Sequence, residues 1–199
     1  MDKTRMEAFS DAVIAIIITI MVLEMKIPHG AEWSVLKTIV PVLLSYILSF
    51  AYLAIYWNNH HHLLKAAQTV DGRILWANML LLFWLSLIPF VTAWMGDNDF
   101  ARNTVILYGV VLFFAAVTYM ILVKTLLTRH GQNSVLGRAI GKDSKGKISI
   151  LLYLTAIVLS YIHPYLSCVI YALVAIIWIV PDQRIEKALA DNKTSQNDI

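Results

Sequence analysis

Long stretches without Lys, Arg, Asp or Glu alternate with short polar segments along the chain. The first long stretch covers residues 38–64, and three more follow at residues 74–96, 103–123 and 148–181. Because a helix needs about 20 apolar residues to cross a bilayer, each of the first three stretches predicts one transmembrane helix.

The last stretch, residues 148–181, is too long for a single transmembrane helix. It contains the pair His163-Pro164, and proline removes a backbone donor and disfavours helix in the residue before it. Two short helices joined by a tight turn are therefore expected here.

The chain opens with a shorter apolar core, residues 12–23, which directly follows Asp11. Thr4 and Glu7 have the spacing of a capping box, with Thr4 as the N-cap, which predicts a helix over residues 5–25. At a rise of 1.5 Å per residue this helix is about 31 Å long, enough to cross the hydrocarbon. Its first two turns are polar and cannot face lipid, so protein or water must surround part of it.

These segments predict an all-α integral membrane protein with six transmembrane helices per chain. A single six-helix transmembrane domain covers residues 1–181, and a polar cytoplasmic tail covers residues 182–199. The spans are expected at about residues 5–25, 36–58, 74–95, 103–124, 148–162 and 165–180.

The distribution of Lys and Arg predicts the orientation, since basic residues are retained on the cytoplasmic side. With six spans and both termini cytoplasmic, only Lys26, Lys37 and Arg102 of the 16 basic residues lie outside. Five spans would place part of the basic set on the wrong side. A cleaved leader over residues 1–31 is the alternative, but the acidic residues near its start are unusual in a leader.

Composition agrees with this class, because 59% of the residues are hydrophobic and only 15% are charged, against about 25% charged in soluble domains. The net charge of +3 follows from the basic cytoplasmic segments and gives no evidence for nucleic-acid binding. The basic loop over residues 124–147 is expected to contact anionic lipid heads. Membrane lipids are thus expected partners, and a cell membrane is the expected location of this multi-pass chain.

One face of the opening helix is a nearly continuous apolar stripe. At about 100° per residue, Asp11 lies about 140° from Ile16 and points towards neighbouring helices. Ordinary packing in a helix bundle is the alternative explanation of the stripe. The stripe consists of Phe9, Ala12, Val13, Ile16, Thr19, Ile20 and Leu23.

Three motifs together resemble the lysosomal-type potassium channel family known as transmembrane protein 175. Arg5-x-x-x-Phe9-Ser10-Asp11 precedes an Ile-rich helix that contains Thr19, and Trp57-Asn58-Asn59-His60 is similar to the family's Trp-x-x-His. The third span carries Asn78 and then Ser86-Leu87-Ile88-Pro89-Phe90. The resemblance covers roughly residues 5–95.

The resemblance implies a potassium-permeable cation channel whose first helix lines the axis of a homotetramer. Animal members carry two six-helix repeats, whereas this chain has one Phe-Ser-Asp motif. The chain lacks the Thr-Val-Gly-Tyr-Gly sequence of carbonyl-lined filters, and in this family large apolar side chains of the first helix close the pore.

In register with the family, Ile16 occupies the narrowest ring, Thr19 or Ile20 follows one turn further, and Leu23 lies beyond. Whether Ile16 or Leu23 forms the tighter ring stays open. Four copies of an apolar ring gate by dewetting, so small movements of the helix are expected to open and close the pore.

A polar network is expected to position this helix through the family motif residues. Asp11 and Ser10 would bond to the second and third helices, with Trp57, His60 and Asn78 as candidates. A static staple is the alternative to a gating role. Arg5 and Asp11 do not share a helix face, so an Arg5–Asp11 pair would form between subunits. Phe9 completes the motif.

The competing function is a proton-coupled transporter or proton pathway that uses Asp11 and His60, because an intramembrane carboxylate is a functional-site candidate. A purely structural membrane protein is the third class, and it predicts no ion flux. Fixed metal sites are not expected, since consecutive histidines such as His60, His61 and His62 diverge by about 100° on a helix. The sequence contains no catalytic motif that indicates an enzyme, and it indicates no cofactor beyond the permeant potassium ion.

Overall fold

The computed structural model describes residues 2–131, 134, 136, 137 and 144–179, and all regular secondary structure in them is helical. The expected all-α chain is thus confirmed for these residues. Residues 182–199, expected to form a cytoplasmic tail, lie outside the described residues, as does most of the loop before residue 144. The elements are α1 (Lys3–Leu23), a 3₁₀ helix (Trp33–Ile39), α2 (Val40–Ala66), α3 (Gly72–Ser86), α4 (Ile88–Asp97), α5 (Arg102–His130), α6 (Ser144–Leu159) and α7 (Pro164–Ile179).

Helix α1 begins earlier than the sequence pattern predicts. Asp2, not Thr4, is the N-cap, and its Oδ1 accepts a hydrogen bond from the Thr4 amide at 3.2 Å. The prediction of a Thr4 cap was wrong because Asp2 supplies an equally good acceptor two residues earlier. Glu7 instead forms an i,i+4 ion pair with Lys3 at 3.7 Å. The helix ends at Leu23.

Helix α2 continues past its expected end near residue 58. Pro41 lies in its first turn, where a missing amide costs no helical hydrogen bond. At the other end Leu63 and Leu64 are fully buried, so burial of apolar side chains favours continuation of the helix to Ala66. Ala67 is extended and ends it.

The third span is interrupted at Leu87, and α3 and α4 are its two parts. Pro89 lies in the first turn of α4 and has no amide to donate to the carbonyl four residues earlier, which breaks the ladder near Leu87. Asp71 begins this span, since its Oδ1 accepts from the Arg73 and Ile74 amides, both at 3.0 Å. These bonds lower the pKa of the Asp71 carboxyl. Counting α3 and α4 as one span gives six helical passes in the described residues.

Four of these passes are long and apolar enough to cross a membrane, and α7 is a shorter apolar helix. The chain is therefore a multi-pass membrane protein. The four long passes are Lys3–Leu23, Trp33–Ala66, Gly72–Asp97 and Arg102–His130.

Polar contacts at the two ends of the bundle agree with alternating helix directions. At one end Lys26, after α1, pairs with Asp97 at the end of α4 at 2.8 Å. At the other end His130 Nε2, at the end of α5, accepts from the amides of Gln68 and Thr69 before α3. The α1 and α4 ends thus lie together, opposite the loop that joins α2 to α3.

Candidate pore helix and its polar contacts

Helix α1 packs against its own chain through a narrow face. At about 100° per residue the buried side chains span an arc of only about 80°, and α1 contacts α2, α3 and α4 there. Val13 and Ile18 are partly buried against the core, and most of the remaining circumference is exposed in the described part of the chain. The buried residues are Met6, Ser10, Ile14, Ile17 and Met21.

Most of the predicted stripe lies on the exposed side of α1, but Val13 is partly buried against the core. Ile16 is 57% exposed and Leu23 is 75% exposed, and Phe9 and Ile20 are also exposed. Thr19 is exposed too, and its hydroxyl donates to the Ala15 carbonyl at 2.9 Å. Large apolar side chains without a partner in their own chain are thus available to another surface.

A buried chain of hydrogen bonds joins the other side of α1 to α2 and α3. His60 Nε2 lies 2.7 Å from Asn78 Oδ1, and Asn78 Nδ2 donates to Ser10 Oγ at 2.9 Å. Ser10 Oγ in turn donates to the Met6 carbonyl at 2.8 Å. His60, Asn78 and Ser10 are at most 2% exposed, so the three helices share one continuous buried polar contact.

A second contact joins α1 to α2 at the edge of the exposed face. Trp57 Nε1 donates to Asp11 Oδ1 at 2.9 Å, and the His61 ring stacks on the Trp57 indole with centroids 5.9 Å apart. The two bonds attach α1 to its neighbours through Ser10 and Asp11, which point about 100° apart around the helix.

The remaining two motif residues do not join these contacts within the chain. Arg5 is exposed and forms no ion pair with Asp11 in the described part of the chain. Phe9 points to the uncovered side. Both residues are available to a neighbouring molecule.

Helix α4 contributes to the site in a way that sequence reasoning missed. An open groove of about 600 Å³ runs between α1 and α4, and Ile16 and Ile20 form one wall. Phe90 and Trp94 form the other wall, with stacked rings whose centroids are 6.3 Å apart. The Pro-Phe ending of the third span was the sequence signal, because Pro89 and Phe90 both line this groove.

The histidines of α2 do not converge. His60 faces Asn78, whereas His61 stacks on Trp57 and contacts the His62 ring, so the three do not share one point. Among the residues that the structure describes, no group of three or more His, Cys, Asp or Glu side chains could hold a metal ion.

Comparison with known proteins identifies similar sequences and a similar structure. Residues 5–89 match the family model described as the endosomal/lysosomal potassium channel TMEM175. A protein named as a potassium channel, from Chryseobacterium sp. (strain P1-3), is 52% identical over 192 residues, which are 96% of this chain and all of the relative.

The crystal structure of a lysosomal potassium-selective channel TMEM175 homologue from Chamaesiphon minutus has the same fold. The TM-score is 0.79 at 30% identity, over 90% of this chain and 97% of the other. A zebrafish (Danio rerio) protein named as the endosomal/lysosomal proton channel TMEM175 is 26% identical over 132 residues, which are 64% of this chain and 24% of the relative.

Proposed function

The chain belongs to the TMEM175 family, and we propose that it forms a potassium-permeable cation channel in the bacterial inner membrane. The observation that carries the proposal is the uncovered apolar face of α1, with Ile16 and Leu23 exposed. The named bacterial relatives are potassium channels, and the relatives' names are those of channels rather than enzymes.

The proposed assembly is a homotetramer with α1 at its axis. Each chain buries only a narrow arc of α1, and the exposed charged side chains of Arg5 and Asp11 in its first turns cannot face lipid. Four copies around an axis would bring the four Ile16 side chains together and would leave α2 to α7 as the outer wall. Arg5 would then pair with Asp11 of a neighbouring subunit.

The rings of Ile16, Ile20 and Leu23 are proposed to close the pore. Water leaves a narrow apolar neck, and a hydrated ion is excluded with it. Thr19 lies between these rings and could supply oxygens to a partly dehydrated ion, although its hydroxyl proton is used by the Ala15 carbonyl. Potassium loses its water more easily than sodium, which would favour potassium in such a neck.

Gating is proposed to use the two polar contacts of α1. The buried bond from Asn78 to Ser10 and the exposed bond from Trp57 to Asp11 hold different sides of the helix. If the exposed Trp57–Asp11 bond were replaced by bonds to other partners, α1 could rotate. The buried Asn78–Ser10 bond would keep it attached to α3. A small rotation would move Ile16 away from the axis.

A proton pathway is the second candidate, favoured by the name of the zebrafish relative. Asp11 and His60 are the titratable groups nearest to the two contacts of α1. In the described structure they bond to different partners, Trp57 and Asn78, and no hydrogen bond joins the two. Potassium conduction is therefore the preferred function, and no cofactor is proposed beyond the permeant ion.

The two candidates are separated by an ion-flux measurement on liposomes that contain the full-length protein. Potassium-loaded liposomes diluted into sodium buffer carry a pH dye, with and without a protonophore. A potassium channel acidifies the lumen only when the protonophore is present, whereas a proton pathway acidifies it under an imposed pH gradient alone. Absence of both fluxes from folded assemblies would contradict both candidates and favour a structural role.

A further inference from the structure

A basic cleft lies between the beginning of α3 and the end of α5, at the end of the bundle opposite the Lys26–Asp97 pair. It is open, has a volume of about 450 Å³, and receives Arg73 from α3 and Lys124 and Arg129 from α5. These helices pack closely along their lengths, so the cleft is a fixed feature of the bundle. Its lining consists of Asp71, Arg73, Lys124, Thr125, Thr128 and Arg129.

The three cations of this cleft are only partly balanced by Asp71, whose pKa is lowered by its amide hydrogen bonds and by the nearby charges of Arg129 and Arg73. In the described part of the chain none of Arg73, Lys124 and Arg129 forms an ion pair. Among the described residues Asp71 is the one acidic lining residue, but its Oδ1 is committed to capping α3 through the Arg73 and Ile74 amides. The cleft therefore carries an excess of two positive charges.

The two threonines do not alter this excess, because their hydroxyls are used within α5. Thr125 donates to the Ile121 carbonyl at 2.8 Å and Thr128 donates to the Lys124 carbonyl at 2.9 Å. Binding of an anionic ligand in this cleft thus depends on two guanidinium groups and one ammonium group. Guanidinium matches phosphate oxygens in a bidentate manner, and ammonium adds a point charge.

The surface next to the cleft is apolar and faces outwards. Trp76, one turn beyond Arg73 on α3, is 78% exposed, as is typical of a residue at the membrane interface. Ile121, one turn before Lys124 on α5, is also exposed. The apolar surface continues along α3 with the exposed side chains of Met79, Leu80 and Phe83.

We propose that this cleft binds the phosphate headgroup of an anionic phospholipid of the cytoplasmic leaflet, with the acyl chains along the exposed face of α3. Free phosphate would use only the basic part, whereas a phospholipid also covers the apolar side chains that begin at Trp76. The proposal rests on the membrane orientation of the proposed channel. Since α3 also carries Asn78, which bonds to Ser10 of α1, a bound lipid would hold the helix that positions α1.

The test measures binding of phosphatidylglycerol, relative to phosphatidylcholine, to the detergent-purified full-length protein by native mass spectrometry. The double variant Arg73→Gln/Arg129→Gln is expected to bind phosphatidylglycerol about 25-fold more weakly, at about five-fold for each charge removed. Lys124→Gln, a milder second variant, is expected to lose about five-fold. The matched control Lys37→Gln/Arg102→Gln removes two exposed charges from the opposite end and is expected to retain binding.

Equal binding by the double variant and the wild type would overturn the proposal. Equal losses in the double variant and the control would do the same, since they would indicate an effect of net charge alone. Displacement of phosphatidylglycerol by inorganic phosphate at constant ionic strength would identify free phosphate as the ligand and contradict the lipid assignment. Binding is measured without ion flux, so failure of the channel proposal leaves this result interpretable.

Discussion

Ser10 is the residue at which the packing face of α1 meets the buried polar contacts. It is fully buried, donates to the Met6 carbonyl and accepts from Asn78. Because Asn78 donates through Nδ2, its Oδ1 is the acceptor for His60, and this requires the proton of His60 to be on Nε2. Each side chain in this hydrogen-bonded series is therefore oriented by the next one, and substitution of one leaves a buried polar group without a partner.

The first prediction tests this connection with a double-mutant cycle of Ser10→Ala and Asn78→Leu. The free energies of unfolding are expected to show a coupling of about 0.6–1.7 kcal/mol, the range of interhelical hydrogen bonds in membranes. Chemical unfolding in mixed micelles measures it. Thr118 is a matched control, since its hydroxyl bonds only within α5, and Thr118→Ala should be additive with Ser10→Ala. Additivity of Ser10→Ala with Asn78→Leu would contradict the described contact.

At this scale the sequence predicts which residues take part but not which ones pair. Ser10, Asp11, Trp57, His60 and Asn78 are polar side chains in apolar helices, and such groups must find partners. The division into one buried and one exposed contact depends on the rotation of α1 against α2 and α3. Rotation is a property of packing, so the motif spacing alone could not reveal it.

Between elements, the approach of α2 to α4 depends on a glycine near the outer end. A Cβ added at Gly96 would lie 2.6 Å from Ser45 Oγ and 2.7 Å from the Val42 Cα. The Val42 contact involves the backbone, which cannot move aside as a side chain can. Gly96 therefore allows the two helices to pack at their observed distance.

The second prediction follows from this contact. Gly96→Ala is expected to lower the free energy of unfolding by about 1–3 kcal/mol, the cost of overpacking a tight interface. Thermal unfolding in detergent measures the loss. Gly72→Ala is the matched control, because nothing lies within 4 Å of an added Cβ there, and it should be neutral or slightly stabilising. Equal effects of the two substitutions would contradict the tight α2–α4 contact.

At the scale of elements, the spacing of charges predicts the helices well, but their ends and bends less well. The single third span expected over residues 74–95 is two helices, since Pro89 interrupts the backbone ladder. Helix α2 runs beyond its expected end because Leu63 and Leu64 are buried. Both differences come from tertiary packing and local sterics, which a count of apolar residues does not include.

For the whole molecule, the sequence predicts the apolar stripe of α1, and the structure places all of that stripe except Val13 on the exposed side of the helix. The proposed pore is a property of several copies, so one chain would contain only a part of its wall. The α1–α4 groove also leaves Ile16 and Ile20 uncovered, which is the arrangement expected of a helix that faces an axis. The apolar ring at Ile16 is the central claim of this account.

The measurement that tests this claim most directly is the reversal potential of the purified protein in a planar bilayer, with potassium on one side and sodium on the other. A wild-type potential shifted in the direction of potassium selectivity is expected, at about 59 mV for each ten-fold preference. Ile16→Asn should lose most of this shift because it hydrates the neck. The matched control Val22→Asn is expected to keep it, since Val22 is exposed but lies about 120° from Ile16 around α1. An unchanged shift in Ile16→Asn, or no current from folded wild-type assemblies, would contradict the account.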